Sequence, residues 1–117
     1  MFGFFERRKV TRYAVDIPID SSLSETTLPI HTHIREVSAE GLMMVTEKPI
    51  EMGVMIKMAF EIPRTAVRPK PTLAKVEGHV IHSKRRDERF FEVGINIEAI
   101  NPEAQEAYAL YIAVLAK

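Results

Sequence analysis

The clearest structural signal in the sequence is VMIKMAFEI, the stretch that runs from Val54 to Ile62. Large apolar residues occupy every second position, and the positions between them hold Met55, Lys57, Ala59 and Glu61. A period of two is that of a β-strand, because successive side chains of a strand point to opposite faces of the sheet. The stretch therefore predicts a strand with one buried face, and a chain built around a sheet.

Five further strands are predicted on the two sides of this stretch, separated by turns and polar loops. They are Tyr13–Ile19, Leu28–Val37, Leu42–Thr46, Leu73–His82 and Phe91–Ala99. Alternation assigns an inward face in the last of them to Phe91, Val93, Ile95, Ile97 and Ala99. In the second, the same rule places Ile30 and Ile34 on one face and Val37 on the other. The charged run Lys84–Arg89 is predicted to form a hairpin tip.

The last seventeen residues predict a helix. Asn101 is a good N-cap, Pro102 suits the first helical position, and Glu103 favours the positive end of the helix dipole. A stripe of apolar residues follows at spacings of three and four: Ala104, Ala107, Tyr108, Tyr111, Ile112 and Leu115. Leu110 and Val114 lie off this stripe and are candidates to face a partner.

Six strands and one C-terminal helix predict a small all-β fold, an antiparallel barrel or sandwich with the helix covering one opening. The length of 117 residues suits one domain, which we divide into a basic arm (1–12), a β-barrel (13–100) and the helix (101–117). Sixteen basic residues balance sixteen acidic ones, so no global field favours nucleic acid or membrane.

The composition also bounds the location and the chemistry of the chain. It has no cysteine, which fits a reducing compartment, and no apolar run long enough to span a membrane. We therefore expect a cytoplasmic monomer or small homo-oligomer. A glycine-rich phosphate loop and a nucleophile elbow are both lacking, so no enzyme activity is predicted. His31 and His33 share one face of a strand, but no third ligand is implied and no metal site is predicted.

A basic run, Arg7-Arg8-Lys9-Val10-Thr11-Arg12, precedes the first strand and carries four positive charges. A second feature is the turn Arg35-Glu36-Val37-Ser38-Ala39-Glu40-Gly41. Together, the basic run and this turn make the chain resemble the PilZ domain family. Arg8 and Arg12 fit that family's Arg-x-x-x-Arg arm motif. Glu36, Ser38 and Gly41 fit its Asp/Asn-x-Ser-x-x-Gly motif, with Glu in place of Asp or Asn. The strand containing Val93-Gly94-Ile95 is also of the family type, and the family fold is a six-stranded antiparallel barrel with a C-terminal helix.

The resemblance implies binding of cyclic di-GMP, a bacterial second messenger. The arginines would fork onto guanine or phosphate, Glu36 would accept from guanine N–H groups, and Ser38 would add a hydroxyl contact. Gly41 would allow positive φ in the turn, or a close approach of the ligand to the backbone. Arg7 matches a position where relatives often carry another arginine, and His82 one where they often carry a stacking aromatic residue.

Three functions remain open at this point. The first is a receptor whose arm orders over the barrel on binding cyclic di-GMP and changes the surface offered to a downstream protein. The second is an adaptor that keeps the fold but does not bind the ligand. The glutamate at position 36, in place of Asp or Asn, supports this alternative. The third is an RNA-binding barrel, against which the balanced charge and the few surface-type aromatics argue.

Overall fold

Six strands and one helix form the described part of the chain, which in a computed structural model comprises residues 11–20, 23–24 and 32–117. The elements are β1 (Tyr13–Pro18), β2 (His33–Val37), β3 (Gly41–Thr46), β4 (Met55–Ile62), β5 (Thr72–Arg85), β6 (Phe91–Ile100) and α1 (Pro102–Leu115). The predicted all-β fold with a C-terminal helix is confirmed. The first ten residues of the arm and residues 28–31 of the predicted second strand lie outside the described ranges.

All strand pairs are antiparallel and belong to one sheet, in the order β1-β2-β3-β6-β5-β4. The sheet curls into a half-barrel, and its two edge strands approach each other. Just beyond β1, Ile19 forms a bridge with Phe60 of β4, and the Asp20 amide donates to the Ala59 carbonyl at 2.8 Å. The core therefore lies inside the curl.

Burial follows the predicted alternation closely in β4. Ile56, Met58, Phe60 and Ile62 are each at most 2% exposed, as expected for the inward face. Ala59, on the other face, is also buried, where its amide donates to Ser24 Oγ at 3.1 Å. Each large apolar side chain buried in this way stabilises the fold by about 1.5–3 kcal/mol.

A bulge in β2 changes which residues face the core. Ile34 pairs with Met44, and Glu36 pairs with Met43. Arg35 is therefore an extra residue that has no paired residue on β3. As a result Ile34 and Val37 are both buried, and the predicted placement of Val37 opposite Ile34 was wrong. Arg35 and Glu36 consequently both lie on the outer face of the sheet.

Two other boundaries differ from the prediction near β6. A bulge at Glu98 turns Ala99 outward, where it is exposed, and Ile100 packs against the core in its place. Strand β5 also continues to Arg85, because Lys84 and Arg85 pair with β6. The hairpin tip is therefore shorter than the predicted Lys84–Arg89.

The helix begins after Asn101 as predicted, although the asparagine side chain makes no cap hydrogen bond. Its Oδ1 accepts from the Lys75 amide at 2.7 Å, and its Nδ2 donates to the Leu73 carbonyl at 3.2 Å. These bonds attach the start of α1 to β5. The buried residues of the helix are Ala104, Ala107 and Tyr108. No helix in the described ranges is long and apolar enough to cross a membrane.

We expect Phe60→Ala to lower the free energy of unfolding by about 3–5 kcal/mol, because the ring is 1% exposed and lies where the sheet edges meet. Urea denaturation measures the change. Glu61→Ala, at an exposed neighbouring position, is the control and should change stability by less than about 0.5 kcal/mol. Equal losses in the two variants would contradict this account of the core.

Candidate functional site

The turn between β2 and β3, which we call the Ser38–Gly41 turn, is closed by its own hydrogen bonds. The Ser38 amide donates to the Gly41 carbonyl at 2.9 Å, and the Gly41 amide donates to Ser38 Oγ at 3.2 Å. Ser38 Oγ also donates to the Gly41 carbonyl at 3.3 Å. Since a hydroxyl has one proton and two lone pairs, Ser38 keeps one acceptor position for a ligand N–H.

Gly41 is needed for the packing of the sheet. It does not adopt the expected positive φ; in the described part of the chain, Gly53 at φ 85° is the glycine that does. Gly41 is instead buried against β6, where an added Cβ would lie 2.2 Å from the Ile95 carbonyl oxygen. The close approach that requires a glycine here is therefore that of a neighbouring strand.

Tyr108 joins helix α1 to this turn. Its hydroxyl lies 2.8 Å from the Ser38 carbonyl and 3.0 Å from the Gly41 carbonyl, and its single proton is shared between them. Burial raises the pKa of Tyr108, so the phenol keeps the proton that it donates. The helix thus holds the turn in place through a buried hydrogen bond.

The two predicted binding motifs meet at Arg12 and Glu36. Arg12 Nη1 lies 3.8 Å from Glu36 Oε1, with the side chains 69% and 36% exposed. A long, exposed ion pair contributes little to stability, about 0–1 kcal/mol. Its significance is its position, because it brings the last arginine of the arm beside the carboxylate of the second motif. Arg7 and Arg8 lie outside the described residues.

A line of directly paired residues runs across the outer face of the sheet, and we call it the outer row. Its members are Ala14, Glu36, Met43, Gly94 and His82, on β1, β2, β3, β6 and β5 respectively. Adjacent strands are about 4.8 Å apart, so His82 stands about 14 Å from Glu36. His82 is exposed on the same face as Glu36.

The outer row has a depression at Gly94, because glycine has no side chain. A Cβ there would lie 3.1 Å from the His82 Cβ, so the glycine leaves a shallow floor between Met43 and His82. Sequence reasoning missed Met43 and Gly94 as parts of this face. A glycine inside a strand pattern was a usable signal, since it often marks a close approach of another group.

Two further histidines of the described ranges, His33 and His79, are engaged with carboxylates. His33 Nδ1 lies 2.9 Å from Asp16 Oδ1, and His79 Nδ1 contacts Glu98 Oε2. Within the described ranges, no three His, Asp or Glu side chains come together as a metal ion would need. The predicted pairing partner His31 lies outside those ranges.

Comparison with known protein families gives a match to the PilZ domain over residues 6–113. The match includes both motifs, all six strands and most of α1. The comparison with curated proteins gave no match.

We expect Gly41→Ala to lower the free energy of unfolding by at least about 1–3 kcal/mol, because the new methyl group would overlap the β6 backbone. Chemical denaturation measures the loss. Glu40→Ala, in the same turn but exposed, is the matched control and should be nearly neutral. A Gly41→Ala protein as stable as wild type would refute the packing role.

We expect Tyr108→Phe to lower stability by about 1–2 kcal/mol and to speed amide exchange at Ser38 and Gly41, because the turn loses its bond to the helix. Tyr111→Phe is the control, since that hydroxyl makes no hydrogen bond within the described residues. Hydrogen exchange followed by NMR measures both variants. Unchanged exchange at the two turn amides in Tyr108→Phe would show that the helix does not hold the turn.

Proposed function

Because this chain belongs to the PilZ domain family, we propose that it is a non-enzymatic receptor for cyclic di-GMP. The ligand would bind on the outer face of the sheet, between the basic arm and the Ser38–Gly41 turn. The observation that carries this proposal is the contact of Arg12 with Glu36, which unites the two motifs in one exposed site. The predicted base-stacking residue, His82, faces the same side.

The chemistry of these groups suits a guanine nucleotide. Guanine offers the acceptors O6 and N7, which match the paired donors of a guanidinium, and N–H donors that match a carboxylate. Arg12 and Glu36 are therefore complementary to opposite parts of one base. Arg7 and Arg8 would add contacts to the phosphates or to a purine face. Exchanging the long Arg12–Glu36 pair for these contacts would cost little, because the pair is exposed.

The bulge at Arg35 affects the direction of the Glu36 side chain. A glutamate carries its carboxylate one methylene further from the backbone than the family's aspartate does. Bulges re-aim the side chains beside them, and the bulge here sets the direction in which Glu36 leaves the strand. In the proposed site, this redirection would let the longer side chain meet a guanine held on the outer row.

Signalling would follow from ordering of the arm over the outer face. The ligand-bound surface would then be read by a separate downstream protein in the cytoplasm, with this chain acting as a monomer or small homo-oligomer. The family resemblance suggests an output in motility, pili, biofilm or exopolysaccharide control.

We expect titration calorimetry to detect binding of cyclic di-GMP and to show a loss of about tenfold or more in Arg8→Ala and in Arg12→Ala. A hydrogen bond to a charged group contributes about 1.5–3 kcal/mol, and 1.4 kcal/mol is a factor of ten in affinity. Arg64→Ala is the charge-matched control, because Arg64 is exposed in the loop after β4. It should leave the affinity within about twofold of wild type.

Glu36→Asp separates the receptor from the adaptor. No heat with tens of micromolar cyclic di-GMP, in wild type and in Glu36→Asp alike, would overturn the receptor proposal. Binding only after Glu36→Asp would show a native site that has lost the ligand, and would favour the adaptor. In that case the exposed Val114 of α1 offers an apolar contact for a protein partner.

A further inference from the structure

A recess opens on the outer face of the sheet, beside the outer row. It has a volume of about 420 Å³ and lies between β2 and the loop that joins β5 to β6. Arg35 lines it from β2 and Arg86 from the loop, and we call it the Arg35–Arg86 cleft. Phe90 and Val45 are its apolar lining.

The Arg35–Arg86 cleft is continuous with the proposed nucleotide site. Arg35 directly precedes Glu36, and the bulge turns both side chains outward. Val45 lies two residues beyond Met43 on β3, which is about 7 Å along a strand. The cleft therefore lies within about two residues of the outer row, measured along β3.

The two arginines of the cleft are available to a ligand. Neither guanidinium makes a hydrogen bond or an ion pair within the described part of the chain. The backbone of the Arg86 loop is held independently, by the Arg86 amide donating to the Phe90 carbonyl at 2.9 Å. The side chain can thus engage a ligand without dismantling the loop.

Two carboxylates complete the lining. His33 Nδ1 lies 2.9 Å from Asp16 Oδ1, and Asp87 Oδ1 accepts from the amides of Arg89 and Phe90 at 2.8 and 2.9 Å. These hydrogen bonds lower the pKa of both carboxyl groups, and both stay ionised at neutral pH. The second oxygen of each can still accept from a ligand.

This set of groups fits a base better than a phosphate. The two arginines share the lining with two aspartates, so a phosphate would meet repulsion as well as attraction. Guanine presents both acceptors and N–H donors on its edges, and needs both kinds of partner. Phe90, partly buried with Arg89 over its ring at 5.4 Å, adds an aromatic side chain to the wall.

We propose that the Arg35–Arg86 cleft binds a guanine base of cyclic di-GMP, through arginine donors and aspartate acceptors. This inference rests on the proposed function for the identity of the ligand. It adds a guanine contact outside the two sequence motifs, and so an additional determinant of specificity for guanine over adenine.

The test is titration of cyclic di-GMP into wild type, Arg86→Ala, Arg86→Lys and Arg35→Ala, with Arg64→Ala as the control. We expect Arg86→Ala and Arg35→Ala to weaken binding by about tenfold. Arg86→Lys should not restore it, because lysine keeps the charge but loses the planar fork. In wild type, NMR amide shifts at Val45 and Phe90 should change on binding. Discrimination against cyclic di-AMP should fall in Arg86→Ala.

The outcomes separate the two proposals. If wild type binds, Arg12→Ala is impaired and Arg86→Ala stays within twofold of wild type, the cleft inference is wrong and the receptor proposal stands. An affinity for cyclic di-GMP in Arg86→Lys equal to that of wild type would also overturn base recognition, because a positive charge without the planar fork would then be sufficient. If neither wild type nor Glu36→Asp binds, the receptor proposal itself fails. Thermal melts of each variant confirm that it is folded.

Discussion

The arrangement of the candidate site depends on one extra residue in β2. A regular strand would put Ile34 and Glu36 on the same face, so the core could not take Ile34 without also taking a carboxylate. The bulge at Arg35 removes this conflict, because it buries Ile34 and Val37 while turning Arg35 and Glu36 outward. Burial of an unpaired charge costs several kcal/mol, so the bulged register is strongly preferred over a regular one. The same irregularity that satisfies the core thereby supplies two adjacent charged groups to the outer face.

Much of the fold was predictable from sequence because its strands obey a simple period. Alternation located β4 to within one residue, and the three-and-four spacing located α1. The two residues whose predicted face was wrong, Val37 and Ala99, lie where a bulge shifts the period by one. Bulges reflect pairing with a distant strand, and local patterns do not report it. Asn101 precedes α1 as predicted, but its side chain forms hydrogen bonds with β5 and not with the helix.

The candidate site was only partly predictable. The motif residues Arg12, Glu36, Ser38 and Gly41 are indeed close in space, but the structure assigns Gly41 to packing against β6. Met43 and Gly94 emerge only when strand registers are known, because they lie on strands paired across the outer row. Arg86 is distant in sequence from both motifs and was predicted only as part of a charged hairpin tip. Its place beside Arg35 depends on how the loop between β5 and β6 lies over the sheet.

The hydroxyl of Tyr108 has a thermodynamic consequence for the proposed signalling. It ties the Ser38–Gly41 turn to α1, so the conformational energies of these two segments are not independent. A partner protein that binds α1 and favours one position of the turn would alter the affinity of the proposed site for its nucleotide. By the reciprocity of coupled equilibria, the nucleotide would alter the affinity for that partner by the same factor. One buried phenol would then serve both directions of communication, and its removal would uncouple them together.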